Sequence, residues 1–202
     1  CTLQRCTQNV TYDKTNDIAI GLNFYLFKQG AGTSNIAEAG GFTRSPLAED
    51  ERPDIQFHFV PAQLDDHGRN RLPGLGYTLH ACFLRPKSRG RISLNSANPN
   101  DKVKIESCYL SDADGFDIKV MREALRLSRT ILSQDAFATY RGAELLPGPE
   151  VQENDAIDDF IRRKGESIYH PIGTCKMGRS DDADAVVDSQ CRVIGVKGLR
   201  VV

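Results

Sequence analysis

The chain has 202 residues, 40% of them hydrophobic and 26% charged, with 17 Gly, 9 Pro and 6 Cys, the profile of a folded globular protein and not of a disordered or collagen-like one. Its 26 basic and 27 acidic residues give a formal charge of −1, which excludes the electrostatic footprint of a nucleic-acid or anionic-membrane binder. No apolar run approaches the roughly 20 residues that span a bilayer. The opening CTLQRCTQNV lacks the charged head and apolar stretch of a targeting segment. Cysteines at 1, 6, 82, 108, 175 and 191 include no CxxC pair; they read as reduced cytosolic thiols, with no metal site. The length suits one domain over 1–202. Cys at position 1 and the uncapped apolar GLRVV at the other end read as a piece of a longer protein.

The first apolar stretch, Ile18 to Phe27, is bounded by polar residues and is either a buried strand or a short helix. The glycine- and alanine-rich segment after it, KQGAGTSNIAEAGGFTRSP, predicts loop backbone packed closely against a neighbour. From Ile55 to Val60, residues Ile55, Phe57 and Phe59 alternate with Gln56, His58 and Val60, the period of a strand, with His58 opposite the aromatics. Tyr77 to Leu84 repeats the pattern and puts His80 and Cys82 on one side. Arg91–Leu94 and Val103–Leu110 flank the turn-forming NSANPND and predict a hairpin. An antiparallel meander is the simplest arrangement of these strands.

The period then changes. Ile118, Met121, Leu125, Ser128 and Leu132 fall three or four residues apart, predicting an amphipathic helix from about 114 to 134 that covers one face of the sheet. A second helix is expected over about 155–164, acidic early, basic late and stopped by Gly165. The fold class is therefore α+β, a mostly antiparallel sheet with helices on one face. The cluster RPKSRG reads as a solvated turn or an ion-pair site, since three cations alone do not make a phosphate pocket.

Chemistry concentrates in SIYHPIGTCKMG, residues 167–178. His170 precedes a proline, which biases it to extended backbone, and Gly173 permits a tight turn. Imidazole, with an ordinary pKa of about 6.5, is suited to accept a proton near neutral pH. From spacing alone, a lone histidine in a chain with four of them is more often a structural hydrogen-bonder.

The string HPIGTCKMG, then VVD, then RVIGVKGLRVV, resembles the C-terminal signature of the glucose-methanol-choline family of flavin oxidoreductases, in its bacterial choline and alcohol dehydrogenase branch. SNIAEAGGF, PDIQFHFVPA and GYTLHACFLRPKSRGRISL occur in the family's order, so the resemblance covers nearly the whole chain. It implies the family's substrate-binding, C-terminal part, with His170 as the base that takes the hydroxyl proton while hydride passes to flavin. Tyr169, His58 and Glu38 then belong to the substrate pocket, Glu38 as a partner for a cationic head group. The implied cofactor is FAD, but the GxGxxG unit that holds it is missing, and PGLGYTL at 73–79 leads into a strand; cofactor contacts stay unassigned. The implied partners are an alcohol substrate and the absent FAD-binding domain. The implied location is cytoplasmic, with membrane association through an electron acceptor as the alternative. Alone, the chain is expected to be inactive. The competing reading is a stand-alone small-molecule binding or interaction module.

Overall fold

The computed structural model describes residues 2–6, 17–72 and 74–202; Cys1 and Pro73, named above, lie outside them. The chain divides into two compact units, Cys1–Ser88 with Leu110–Glu166, and Arg89–Tyr109 with Ser167–Val202.

The first unit opens with β1 (Thr2–Cys6) and α1 (Asp17–Phe27), followed by a short 3-10 turn at Ala31–Thr33. Then come β2 (Ala39–Thr43), β3 (Ile55–Val60), the small pair β4 (Leu64–Asp65) and β5 (Asn70–Arg71), and β6 (Gly76–Phe83). Its main sheet has five strands in the order β2-β3-β6-β1-β9, every pair antiparallel, with β9 spanning Arg141–Leu146. That order corrects the simple meander, because β1 is inserted between β6 and β9 from far away in sequence. Strands β1 and β9 also lie outside the span, Ile55 to Leu110, in which the sequence pattern predicts strands.

Alternation on β3 and β6 decides which face is covered. Ile55, Phe57, Tyr77 and Leu79 form one buried cluster with Val120, Ala124 and Leu132. The last three come from α2, Phe116–Leu132, which follows the strands β7 and β8 described below. Its neighbour α3, Asn154–Lys164, packs Ile157, Phe160 and Ile161 against Ile118 and Leu125. A bidentate pair, Arg122 to Asp158 at 2.8 and 2.6 Å, fastens the two helices at the rim. Gly165 ends α3, its N–H reaching the Ile161 carbonyl at 2.6 Å.

The stretch left open by its composition is a helix. α1 carries apolar residues on all sides and none of them is buried, which is why no period marked it as helix or strand. No helix among the described residues is long and apolar enough to cross a membrane.

The second unit contains the predicted hairpin, β7 (Arg91–Ser93) paired antiparallel with β8 (Lys104–Glu106), as a separate two-stranded sheet. The second strand is shorter than the expected 103–110. The remainder, residues 167–202, is built of turns and isolated bridges.

Candidate active site

In the first unit, the face of the sheet turned away from α2 carries His58. Its register neighbours are Gly40 on β2 and His80 on β6. Glycine at position 40 has a direct cause: a Cβ there would stand 2.7 Å from the Phe57 carbonyl oxygen. One step beyond β2, the Glu38 N–H donates to the Phe59 carbonyl at 3.1 Å, which ties the loop end to β3 and leaves the residue exposed. Farther along the face, the Cys82 thiol lies 3.9 Å from Gln56 Oε1, and burial pushes its pKa up. The loop before Glu38 packs closely, as its composition predicts: a Cβ on Gly32 would fall 2.7 Å from Phe24 Cβ of α1.

The cations of RPKSRG are engaged within the fold. Arg85 donates to the carbonyls of Arg52 and Pro53 at 3.1 and 2.7 Å, and Lys87 pairs with Glu49 at 2.6 Å. Buried Asp117 at the start of α2 accepts from the N–H groups of Lys87 and Ser88 and from the Ser88 hydroxyl. This turn is an internal latch and not an anion pocket.

In the second unit, Tyr169 and His170 are exposed neighbours in a segment bent by two left-handed residues. Tyr169 has φ +62° and Gly173 φ +103°. The glycine takes that conformation without strain, whereas for tyrosine it costs roughly 1–2 kcal/mol. The Ser167 hydroxyl accepts the Tyr169 N–H at 3.0 Å and orients the peptide plane that leads into Tyr169. Downstream, the segment is anchored on buried Val187, which bridges to Met177 and to Val193. Asp188 accepts from the N–H groups of Gln190 and Arg192 and from the Arg192 guanidinium, the last at 2.8 Å. That guanidinium first, and then the N–H donors, holds the Asp188 carboxyl below its ordinary range. Lys176 does the same to Asp182 across 2.7 Å. The signature stretch from Val186 onward is therefore the frame on which 167–178 is mounted.

Comparison with known proteins decides what this segment belongs to. The family model for GMC oxidoreductases matches residues 86–202. The chain belongs to the GMC oxidoreductase family. Over 98% of its length it is 48% identical to the oxygen-dependent choline dehydrogenase of Brucella ovis, and over 91% it is 48% identical to the alcohol dehydrogenase (acceptor) of Pseudomonas putida. It covers 36% and 32% of those proteins, so it spans about a third of the length of these relatives. Among solved structures, pyridoxine 4-oxidase from Mesorbium loti matches all of the chain with 35% of its own length, at a TM-score of 0.78 and 27% identity.

GMC oxidoreductases depend on FAD, and the described residues do not fit its dinucleotide. A pyrophosphate needs a glycine turn that delivers it to a helix N-terminus. Each α-helix among the described residues instead has an acid in its first turn: Asp17, Asp117 and Asp155. At α2 the N–H groups of Phe116 and Asp117 already donate to Asp112 Oδ2. Gly76, the last glycine of the one candidate loop, starts a strand. Among the described residues no group of three or more His, Cys, Asp or Glu is arranged for a metal.

Of the four site residues read from the sequence, Glu38 and His58 lie in the first unit, Glu38 exposed and His58 on the sheet face turned away from α2 with its Nε2 buried, and Tyr169 and His170 adjoin in the second unit. His80, placed on its strand by the sequence but given no chemistry, lies directly across from His58; Ser167 was passed over. Ser167 holds the backbone before His170; a serine two residues ahead of a bend is a recognisable hydroxyl-turn pattern.

Proposed function

We propose that this chain is the substrate-binding part of an FAD-dependent dehydrogenase that oxidises a primary alcohol, choline or an uncharged relative, to the aldehyde. The observation that carries this reading is the 48% identity to a choline dehydrogenase over 98% of the chain, a span that takes in the exposed His170 and the frame beneath it. His170 accepts the hydroxyl proton as the carbinol C–H leaves with its electron pair, so that the C–O bond becomes a carbonyl. FAD is the family's hydride acceptor and is held by the rest of the parent protein. In this reading Tyr169 offers an aromatic face to the substrate, Glu38 a carboxylate to a quaternary ammonium head, and His58 a further substrate contact. Residues 1–202 act as one substrate domain in this reading, and the flavin domain of the same protein covers α1, whose apolar surface a helix keeps only when something larger buries it.

The test is His170→Ala in the full-length parent enzyme. Its turnover should fall about 100- to 10,000-fold at unchanged flavin content. Activity within about threefold of wild type would refute the assignment. The isolated chain is expected to show no alcohol-dependent reduction of an artificial acceptor, and to bind added FAD more weakly than about 1 μM by calorimetry; tighter binding would move the cofactor site into this chain.

A further inference from the structure

We propose that the apolar face of the β7–β8 hairpin is the seat on which the flavin-carrying part of the parent protein docks. This rests on the reading of the chain as part of an FAD-dependent dehydrogenase and names a surface that its missing partner covers. The hairpin has two unlike faces. Ile92 and Ile105 are register partners, so their side chains stand on one face, and Leu94 and Val103, one step further on, fall in phase with them. The opposite face carries Arg91 and Lys104, paired with Glu106 at 2.7 and 3.0 Å. Ile92 is 51% exposed, Leu94 79%, Val103 44% and Ile105 68%. A two-stranded sheet is marginal in water until something packs on it. Among the described residues no third strand joins this one, and the unit around it buries a single apolar side chain, Val187. The hairpin is nevertheless braced by polar bonds of its own. The Ser96 hydroxyl donates to Asp101 at 2.6 Å and the Asn95 amide to the Lys102 carbonyl at 2.7 Å, and at Gly90 a Cβ would collide with the Glu106 carbonyl oxygen. Its shape is held from the polar side, and its apolar side is left for a neighbour.

Two arguments choose the neighbour. The described residues do not fit a dinucleotide, and the chain spans 36% of its choline dehydrogenase relative, so in a protein of that kind the cofactor is carried by the larger part outside residues 1–202. Chemistry then sets where that part must stand. The proton leaves the alcohol oxygen and the hydride leaves the carbon bonded to it, so the base and the hydride acceptor meet the substrate at adjacent atoms. His170 belongs to the same compact unit as the hairpin. The part that carries the acceptor therefore closes on the second unit, and it meets there an apolar sheet face that gains stability by being covered.

The experiment uses the full-length parent enzyme purified with its FAD. The photoreactive amino acid p-benzoylphenylalanine replaces Ile92, the enzyme is irradiated, and the product is read by denaturing electrophoresis and peptide mass spectrometry. Docking predicts a product with the mass of one chain, in which position 92 is joined to a peptide outside residues 1–202. Should the larger side chain at 92 cost the enzyme its flavin, Leu94, on the rim of the same face, is replaced instead. A product heavier than one chain would put a second copy or another protein on the face. An adduct within residues 1–202 would show that this chain covers itself, and a flavin-loaded enzyme without any adduct would show a bare face. Each of these three results overturns the proposal and leaves the dehydrogenase reading standing. A parent protein that carries no flavin and oxidises no alcohol removes both.

Discussion

The two units of this chain are built on different principles. Among the described residues every buried apolar side chain but Val187 belongs to the first unit, where the sheet is sealed by α2 and α2 by α3. The second unit is held by turn hydrogen bonds and by carboxylates such as Asp182 and Asp188 that each gather a cation and neighbouring N–H groups. A packed core resists change by excluded volume, and a polar frame resists it by geometry. The base candidate is mounted on the frame and the charge-selecting candidate on the core's sheet. The contrast teaches that rigidity against denaturation and precision at the site are supplied by different parts of the chain.

The largest expected effect tests the core. Leu132→Ala, at a fully buried position of α2, should cost about 2–5 kcal/mol in urea denaturation, from lost transfer energy and the cavity left behind. In the second unit Ile172→Ala, at a side chain 93% exposed, should stay within about 0.5 kcal/mol. Equal costs would break the comparison.

Next comes a polar element that serves the first unit. Arg129 of α2 donates to Glu144 at 3.0 Å and to the carbonyls of Val151 and Gly148 at 2.8 and 3.0 Å, with both members of the ion pair mostly covered. Arg129→Met should destabilise by about 2–4 kcal/mol, because it leaves Glu144 and the Val151 carbonyl without their donor and the Gly148 carbonyl with the Val151 N–H alone. A double variant with Glu144→Gln should recover part of that loss. No recovery would show that the arginine acts through packing of its stem.

How much of this was legible follows from the same physics. Period 2 on β3 and period 3.6 on α2 are written in the residues because the apolar face of each packs into the core, and on β6 Tyr77, Leu79, Ala81 and Phe83 keep that period although Gly76 to Leu79 are buried on both faces. α1 has apolar residues on every side, so it carries no period to read. β2 is AGGFT, two glycines among five residues; its strand state comes from pairing with β3 and not from local preference. β1 and β9 meet through contacts across most of the chain, which no local window contains. At the site, His170 and Tyr169 stood out through the signature, whereas Ser167 acts through one hydroxyl on one N–H and leaves no mark in composition.

A smaller effect sharpens the division at the site. Glu38→Gln in the parent enzyme should raise KM for choline about 5- to 100-fold and spare a neutral alcohol of similar size, since a carboxylate's preference for a cation is lost with its charge. Equal losses for both substrates would assign the carboxylate to structure.

The smallest effect is acid sensitivity confined to the frame. Asp182 and Asp188 are held below their ordinary range in the folded state. Their stabilisation is therefore complete above the unfolded carboxylate value of about 3.9 and is lost as pH falls through the lowered folded values. Hydrogen exchange measured from pH 5 down to pH 2.5 should show amides of residues 176–194 opening before those of β3 and β6. High salt should shrink the difference, because these pairs face solvent. Simultaneous opening of both units would mean that the frame does not rest on its carboxylates.

The place of β1 in the sheet has a consequence for how the protein is made. Its partners β6 and β9 lie roughly 75 and 135 residues downstream by the register Thr2 with Leu79 and Cys6 with Arg141. At ordinary ribosomal speeds of about 5–20 residues per second, β9 leaves the ribosome on the order of ten seconds after β1. Until β6 emerges β1 has both edges unpaired, and one edge stays unpaired until β9 follows; unpaired edges recruit wrong partners. Pairings of such long range close slowly. Yield of native protein should therefore be set in the seconds between the emergence of β1 and that of β9, by whether the nascent strand is shielded until its second neighbour arrives.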